Sequence, residues 1–152
     1  MTTGDTRELA IGELAEATGL SATTLRYYED EGLIPMVQRN GAGHRRYRPD
    51  HVRWVGLLDR LRTSGMSIAR MRRYAELAVR GDETAEERGR LLRRHRDELE
   101  ARIGELQRCL EIVRKKIDLY EGRIDDPTIV WDLVARAQRE YRGVTAGIRS
   151  EV

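Results

Sequence analysis

The stretch "SATTLRYYEDEGL" at residues 21–33 sets one arginine beside two tyrosines, Arg26-Tyr27-Tyr28, within a run of helical spacing. A core takes one aromatic at that spacing and a solvated face takes none, so the trio is suited to touching something outside the fold. A guanidinium offers a fixed fork of donors that matches phosphate geometry. The second feature of this kind is a basic block. From Arg39 to Arg73 there are ten arginines against Asp50 and Asp59, a local charge of +8 in a chain whose net charge is +2. Residues 76–152 carry 16 basic and 17 acidic groups, so the positive charge is concentrated in one segment. Such a block is the electrostatic footprint of a phosphate-binding surface.

Other chemistries find little support. No nucleophile–base pair, metal cluster or phosphate loop is visible, so the sequence points to a protein that binds and is not an enzyme. Cys109 is the one cysteine, which excludes an intrachain disulfide and multi-cysteine metal sites and points to a reducing, cytoplasmic setting. It flanks an apolar seam, where a buried, inert thiol is expected. His51 and His95 lack the spacing of a metal pair, so neither a metal nor a cofactor is expected. No apolar run approaches the ~18 residues that span a membrane, and "MTTGDTRELA" has no signal-peptide pattern.

The elements that must position these residues follow from local signals. "IGELAEATGL" puts Ile11, Leu14 and Ala15 on one helical face, and Gly19 ends the run. Ser21 is the N-cap of a second helix, which Gly32 stops and Pro35 prevents from resuming. Two short helices across a glycine form a helix-turn-helix, with Leu25 locking the second onto the first. At 100° per residue an inward Leu25 leaves Thr23, Arg26, Tyr27 and Asp30 facing out, with Tyr28 at the boundary. Next, extended pieces around Val37–Arg39 and Arg45–Tyr47 flank "NGAG", a tight-turn signal, and make a small hairpin or wing. Pro49 opens a helix with the stripe Val52, Val55, Leu58 and Leu61, ended by Ser64-Gly65. Ser67 caps another helix that closes near Gly81.

The most regular element comes last. Leu92, Leu99, Leu106, Val113 and Tyr120 recur every seven residues, and Ile103, Leu110 and Ile117 fill the second seam, with Arg96 as its polar exception. This is a helix of roughly 40 residues whose stripe needs a partner, for which a second copy of the chain is the simplest choice. After Pro127 the spacing predicts one short amphipathic helix, frayed after Gly143. Trp131 and Tyr141 there either line an effector pocket or pin the tail onto the dimer.

The segments "IGELAEATGLSATTLRYYEDEGLIP" and "GHRRYRPDHVRWVGLLDRLRTSGMSI", followed by a long coiled-coil helix, resemble the MerR family of bacterial transcription regulators. The resemblance covers Leu9 to Tyr120. It implies a mainly α chain: a winged helix-turn-helix domain over residues 9–80 (helix-turn-helix 11–30), a dimerisation helix over 82–122 that forms an antiparallel coiled coil, and a short tail over 123–152. It further implies a homodimer on a pseudo-palindromic promoter operator, with RNA polymerase as a partner and transcription altered by distortion of the DNA. Carried over by position, Thr23, Arg26, Tyr27 and Tyr28 are DNA contacts of the second helix. Arg39, Arg45 and Tyr47 are wing contacts, and Arg62 is a phosphate contact. The family often has tyrosine where this chain has His44. Two other readings use the same residues: an architectural, excisionase-like DNA-bending protein without a ligand, and a coiled-coil protein–protein adaptor. The long dimer helix counts against the first; the second makes the basic block incidental, and steeply salt-dependent binding to a promoter fragment would exclude it. The effector, if there is one, is not legible.

Overall fold

The computed structural model describes residues 8–149. Helices α1 (Ile11–Thr18) and α2 (Ala22–Asp30) meet across Gly19, which adopts φ 72° and donates its N–H to Ala15 O. That left-handed conformation is one a side chain with Cβ rarely takes. Ser21 caps α2 by accepting the Thr24 N–H at 3.0 Å. Gly32, at φ 72°, follows the end of α2.

A two-residue hairpin comes next, β1 (Gln38–Arg39) against β2 (Arg45–Arg46), antiparallel with Arg39 opposite Arg45. Its turn is held by Asn40, whose Oδ1 accepts the N–H groups of Ala42 and His44. Leu9 adds a bridge to Tyr47, an N-terminal extension of the wing that sequence patterning does not predict. Helices α3 (Pro49–Thr63) and α4 (Ile68–Val79) complete the domain, with Ser67 capping α4. Leu14, Leu25, Leu33, Val55, Leu58 and Met71 are fully buried in one core. Each contributes roughly 1.5–3 kcal/mol by leaving water. Trp54 stacks on Tyr74, with ring centroids 5.8 Å apart, and donates its indole N–H to Leu33 O at 2.7 Å.

A turn of 3-10 helix (Asp82–Thr84) leads into α5 (Ala85–Tyr120), and α6 (Thr128–Arg149) follows. The chain divides into two compact units, Met1–His95 and Arg96–Val152. The first turns of α5 therefore belong to the N-terminal unit. There Leu92 packs against the core, and His95 is buried with Nε2 2.7 Å from Ser64 Oγ. The expectation that Leu92 serves the dimer seam is corrected: its side chain is used within its own domain.

In the second unit α5 and α6 run antiparallel. Arg108 lies 3.4 Å from Glu140, Arg136 lies 3.5 Å from Glu111, and the Lys116 ammonium stands over the Trp131 ring. The tail also needs correction. It is no short helix frayed at Gly143 but a 22-residue helix that runs through it. Asp126 explains the start, since its Oδ1 accepts both the Thr128 N–H and its hydroxyl. No helix among the described residues is long and apolar enough to cross a membrane.

Candidate nucleic-acid interface

The basic residues converge where α2 and the wing approach the start of α1. A concavity of about 360 Å³ is lined by Arg26, Arg39, His44, Arg45 and Arg46, with Ala10 and Ile11 beside them. Arg26 projects from the outer face of α2 because Leu25 next to it is locked in the core. Thr23, Arg26 and Asp30 are exposed and Tyr27 is 45% exposed, as the helical wheel predicts. Arg39 is exposed on β1, with Nη1 donating to Gly43 O at 2.8 Å, so the wing turn holds its head group.

Two of the expected contacts are not on this surface. Tyr28 is 3% exposed and Tyr47 fully buried, so both tyrosines are core residues and the assignment of their rings to DNA is corrected. Tyr28 lies three residues after Leu25, at the edge of the inward face, and the core extends far enough to enclose it. Burial pushes its phenol up from the usual tyrosine range, with Asp59 adding to the effect. Tyr47 is pushed up to about 12, by burial first and then by its hydrogen bond to Glu29.

Glu29 is the residue that sequence reasoning missed. Its carboxylate accepts from Tyr47 Oη at 2.9 Å and from Arg45 Nε, tying β2 to the end of α2. Arg45, expected as a wing contact, faces the concavity, where it is half-buried and its charge is matched by Glu29. A signal was present, since α2 ends on the acidic run "EDE" just before an arginine-rich wing.

The same sorting applies to the whole basic block. Several of its arginines are ion-paired: Arg45 with Glu29, Arg53 with Asp50, Arg60 with Asp59, Arg72 with Glu31 and Arg73 with Glu87. Among the described residues Arg39, Arg46, Arg48 and Arg62 of the block, and Arg26 outside it, form no ion pair with a carboxylate, and Arg70 is engaged in an interaction of its own. Arg62 is exposed on α3, away from the wing concavity but near Tyr28. Among the described residues there is no group of three or more His, Cys, Asp or Glu placed to hold a metal ion.

The remaining candidates lie in the C-terminal unit. Cys109 is exposed, against the expectation of a buried thiol, with Sγ 3.9 Å from Glu105 Oε1. It lines a cavity of about 360 Å³ between α5 and α6 together with Ile112, Val134, Ala137 and Tyr141. Trp131 does not line that cavity and lies against Lys116, which also stands 4.9 Å over the Tyr120 ring. The structure thus separates the two expected effector residues.

A recognition helix with free arginine and threonine, flanked by a basic wing, defines a winged helix-turn-helix DNA-binding protein. Comparison with known proteins gives the family. The model described as MerR HTH family regulatory protein matches residues 9–77, and that described as MerR, DNA binding matches residues 52–112. An uncharacterized HTH-type transcriptional regulator of Haemophilus influenzae is 39% identical over 107 residues, which is 70% of this chain and 79% of the relative. The crystal structure of HiNmlR, a MerR family regulator lacking the sensor domain and bound to promoter DNA, superposes with TM-score 0.68 at 36% identity. It covers 76% of this chain and 92% of its own. A MerR-type protein from Listeria monocytogenes superposes at 0.71, with 36% identity over 91% of this chain and 98% of its own. The chain belongs to the MerR family of helix-turn-helix transcriptional regulators.

Proposed function

We propose that this regulator works as a homodimer joined through α5, holding two half-sites of a pseudo-palindromic promoter operator and altering transcription by distorting the DNA between them. It acts by binding and not by catalysis, and RNA polymerase is the partner that reads the distorted promoter. Residues 9–80 serve as the DNA-binding domain, 82–122 as the dimerisation helix and 123–152 as the part that receives a small-molecule signal. One observation carries this reading. Ile103, Leu106, Leu110, Val113, Ile117 and Tyr120 stand 44–77% exposed along one stripe of α5, while α6 occupies a different face. A stripe of that length in water marks an interface. Its heptad spacing fits a second helix of the same kind. Leu99, half-buried at the start of the second unit, extends the seam toward the DNA-binding domain.

The test replaces Leu106 and Leu110 together by glutamate, which would bury unpaired charge in the interface. Sedimentation is expected to show a monomer with intact helical content, and binding to the promoter DNA of its own gene is expected to be lost. A dimer that survives the double substitution places the interface elsewhere.

A further inference from the structure

We propose that the groove between α5 and α6 binds a small apolar monocarboxylate, its chain lying along the apolar lobe and its carboxylate on Arg102. The inference rests on the reading that the C-terminal unit receives the signal, and it adds the site and the class of molecule. Two adjoining cavities form the groove. The first, about 360 Å³, has Ile112, Val134 and Ala137 as its apolar wall. The second, about 280 Å³, is lined by Ala101, Arg102 and Arg108. Tyr141 and Glu105 border both, so a single elongated molecule can occupy the two. The volumes suit a small organic ligand.

The charges around the second cavity select the head group. Arg108 is satisfied, since it donates to Glu105 at 2.7 Å and lies 3.4 Å from Glu140. One guanidinium offsets one of the two carboxylates, and Arg102 with Arg142, which also line the groove, bring the cations there to three against two. Arg102 is exposed and forms no ion pair among the described residues. Gln138 and Arg142 also line the first cavity, but Arg142 is engaged in an interaction of its own, so Arg102 is the cation left to receive a carboxylate at the other end of the groove. A cationic ligand would find Glu105 and Glu140 already committed, and a neutral one would leave Arg102 unused. Both family models stop at or before residue 112, whereas this groove needs α6. The α5 wall, Arg102 included, lies inside the second matched segment, and the α6 wall of Val134, Ala137 and Tyr141 lies beyond it.

The experiment titrates the full chain, without DNA, by calorimetry with decanoate, phenylbutyrate and decanol. Decanoate, phenylbutyrate or both are expected to bind one per chain below about 1 mM, the preferred one distinguishing an alkyl from an aryl body. Decanol should bind about tenfold or more weakly, the usual scale for losing a charge-assisted hydrogen bond. Arg102→Ala should bring the carboxylate down to the level of decanol. Ala137→Leu, which adds bulk to the cavity wall at a helix-favourable position, should abolish binding while circular dichroism stays unchanged. Cys109 lines the first cavity, so its alkylation by iodoacetamide should slow several-fold with the carboxylate bound. Absence of binding by both carboxylates, or binding unchanged in a folded Ala137→Leu protein, overturns the site. Decanol binding as tightly as the carboxylates overturns the head-group assignment. Operator affinity, measured separately without ligand, reports on the regulator reading alone.

Discussion

The ring of His51 carries one hydrogen bond on each nitrogen, and the two together fix its protonation state. Nδ1 accepts the Arg48 N–H at 2.8 Å at the start of α3, so in the neutral ring the proton is on Nε2, which donates to Pro35 O at 2.9 Å. The ring is buried edge-on against Tyr47. Burial is the largest influence and pulls its pKa below the ordinary histidine value of about 6.5. The folded state therefore binds fewer protons than the unfolded chain between the lowered value and about 6.5. The stability His51 contributes is fully present above that window and is lost as pH falls through the folded-state pKa. Thermal melts from pH 8 to pH 5 should show a steeper acid-side decline for the wild type than for His51→Gln. Parallel curves for the two proteins would sink this account. The sequence marked His51 only as a poor metal ligand, because its partners lie three residues away at a helix start and sixteen away in a loop.

At the scale of elements, the wing is fastened to the recognition helix through Glu29. In Glu29→Ala the buried Tyr47 hydroxyl loses its acceptor, a cost of about 1–3 kcal/mol, and Arg45 loses its counter-charge. Urea unfolding should show that loss. Adding Tyr47→Phe to the same protein should restore part of the stability, since no orphaned hydroxyl remains; equal stability of the single and double variants would show that the hydroxyl is not the cause. The helices, the wing turn and the caps at Ser21 and Ser67 were legible because each depends on residues within one turn of chain. The latch was not, because it joins residues 16 and 18 apart across a fold. Tyr28 and Tyr47 were misread for the same reason: which way a boundary residue turns is decided by what packs on it. Leu92 kept the heptad rhythm yet was claimed by a nearby core. In α6, Gly143 was read as a stop, but an interior glycine costs only about 1 kcal/mol relative to alanine, less than a 22-residue helix with the strong formers Ala135 to Glu140 before it can absorb.

At the scale of the whole molecule, the proposed two-fold symmetry has an arithmetic consequence that a single-chain binder lacks. Each phosphate neutralised by an arginine contributes about 0.9 to the slope of log affinity against log salt. In a homodimer on two half-sites, one substitution removes two such contacts, so Arg39→Ala should flatten the slope by about 1.8. A protein bound through one chain would lose about 0.9. Arg39 suits the measurement because it is exposed, unpaired and held over the wing by Gly43 O. Arg45→Ala supplies the contrast: its charge is already compensated by Glu29, so it should weaken binding by loosening the wing while leaving the slope nearly unchanged. Fluorescence anisotropy on a two-half-site promoter fragment across a potassium chloride series gives all three slopes. A decrement near 0.9 for Arg39→Ala would mean that one wing alone meets the backbone, and the symmetric dimer on DNA would have to be abandoned. No decrement at all would remove the wing from the interface and leave Arg26 and Arg62 to carry the phosphate contacts.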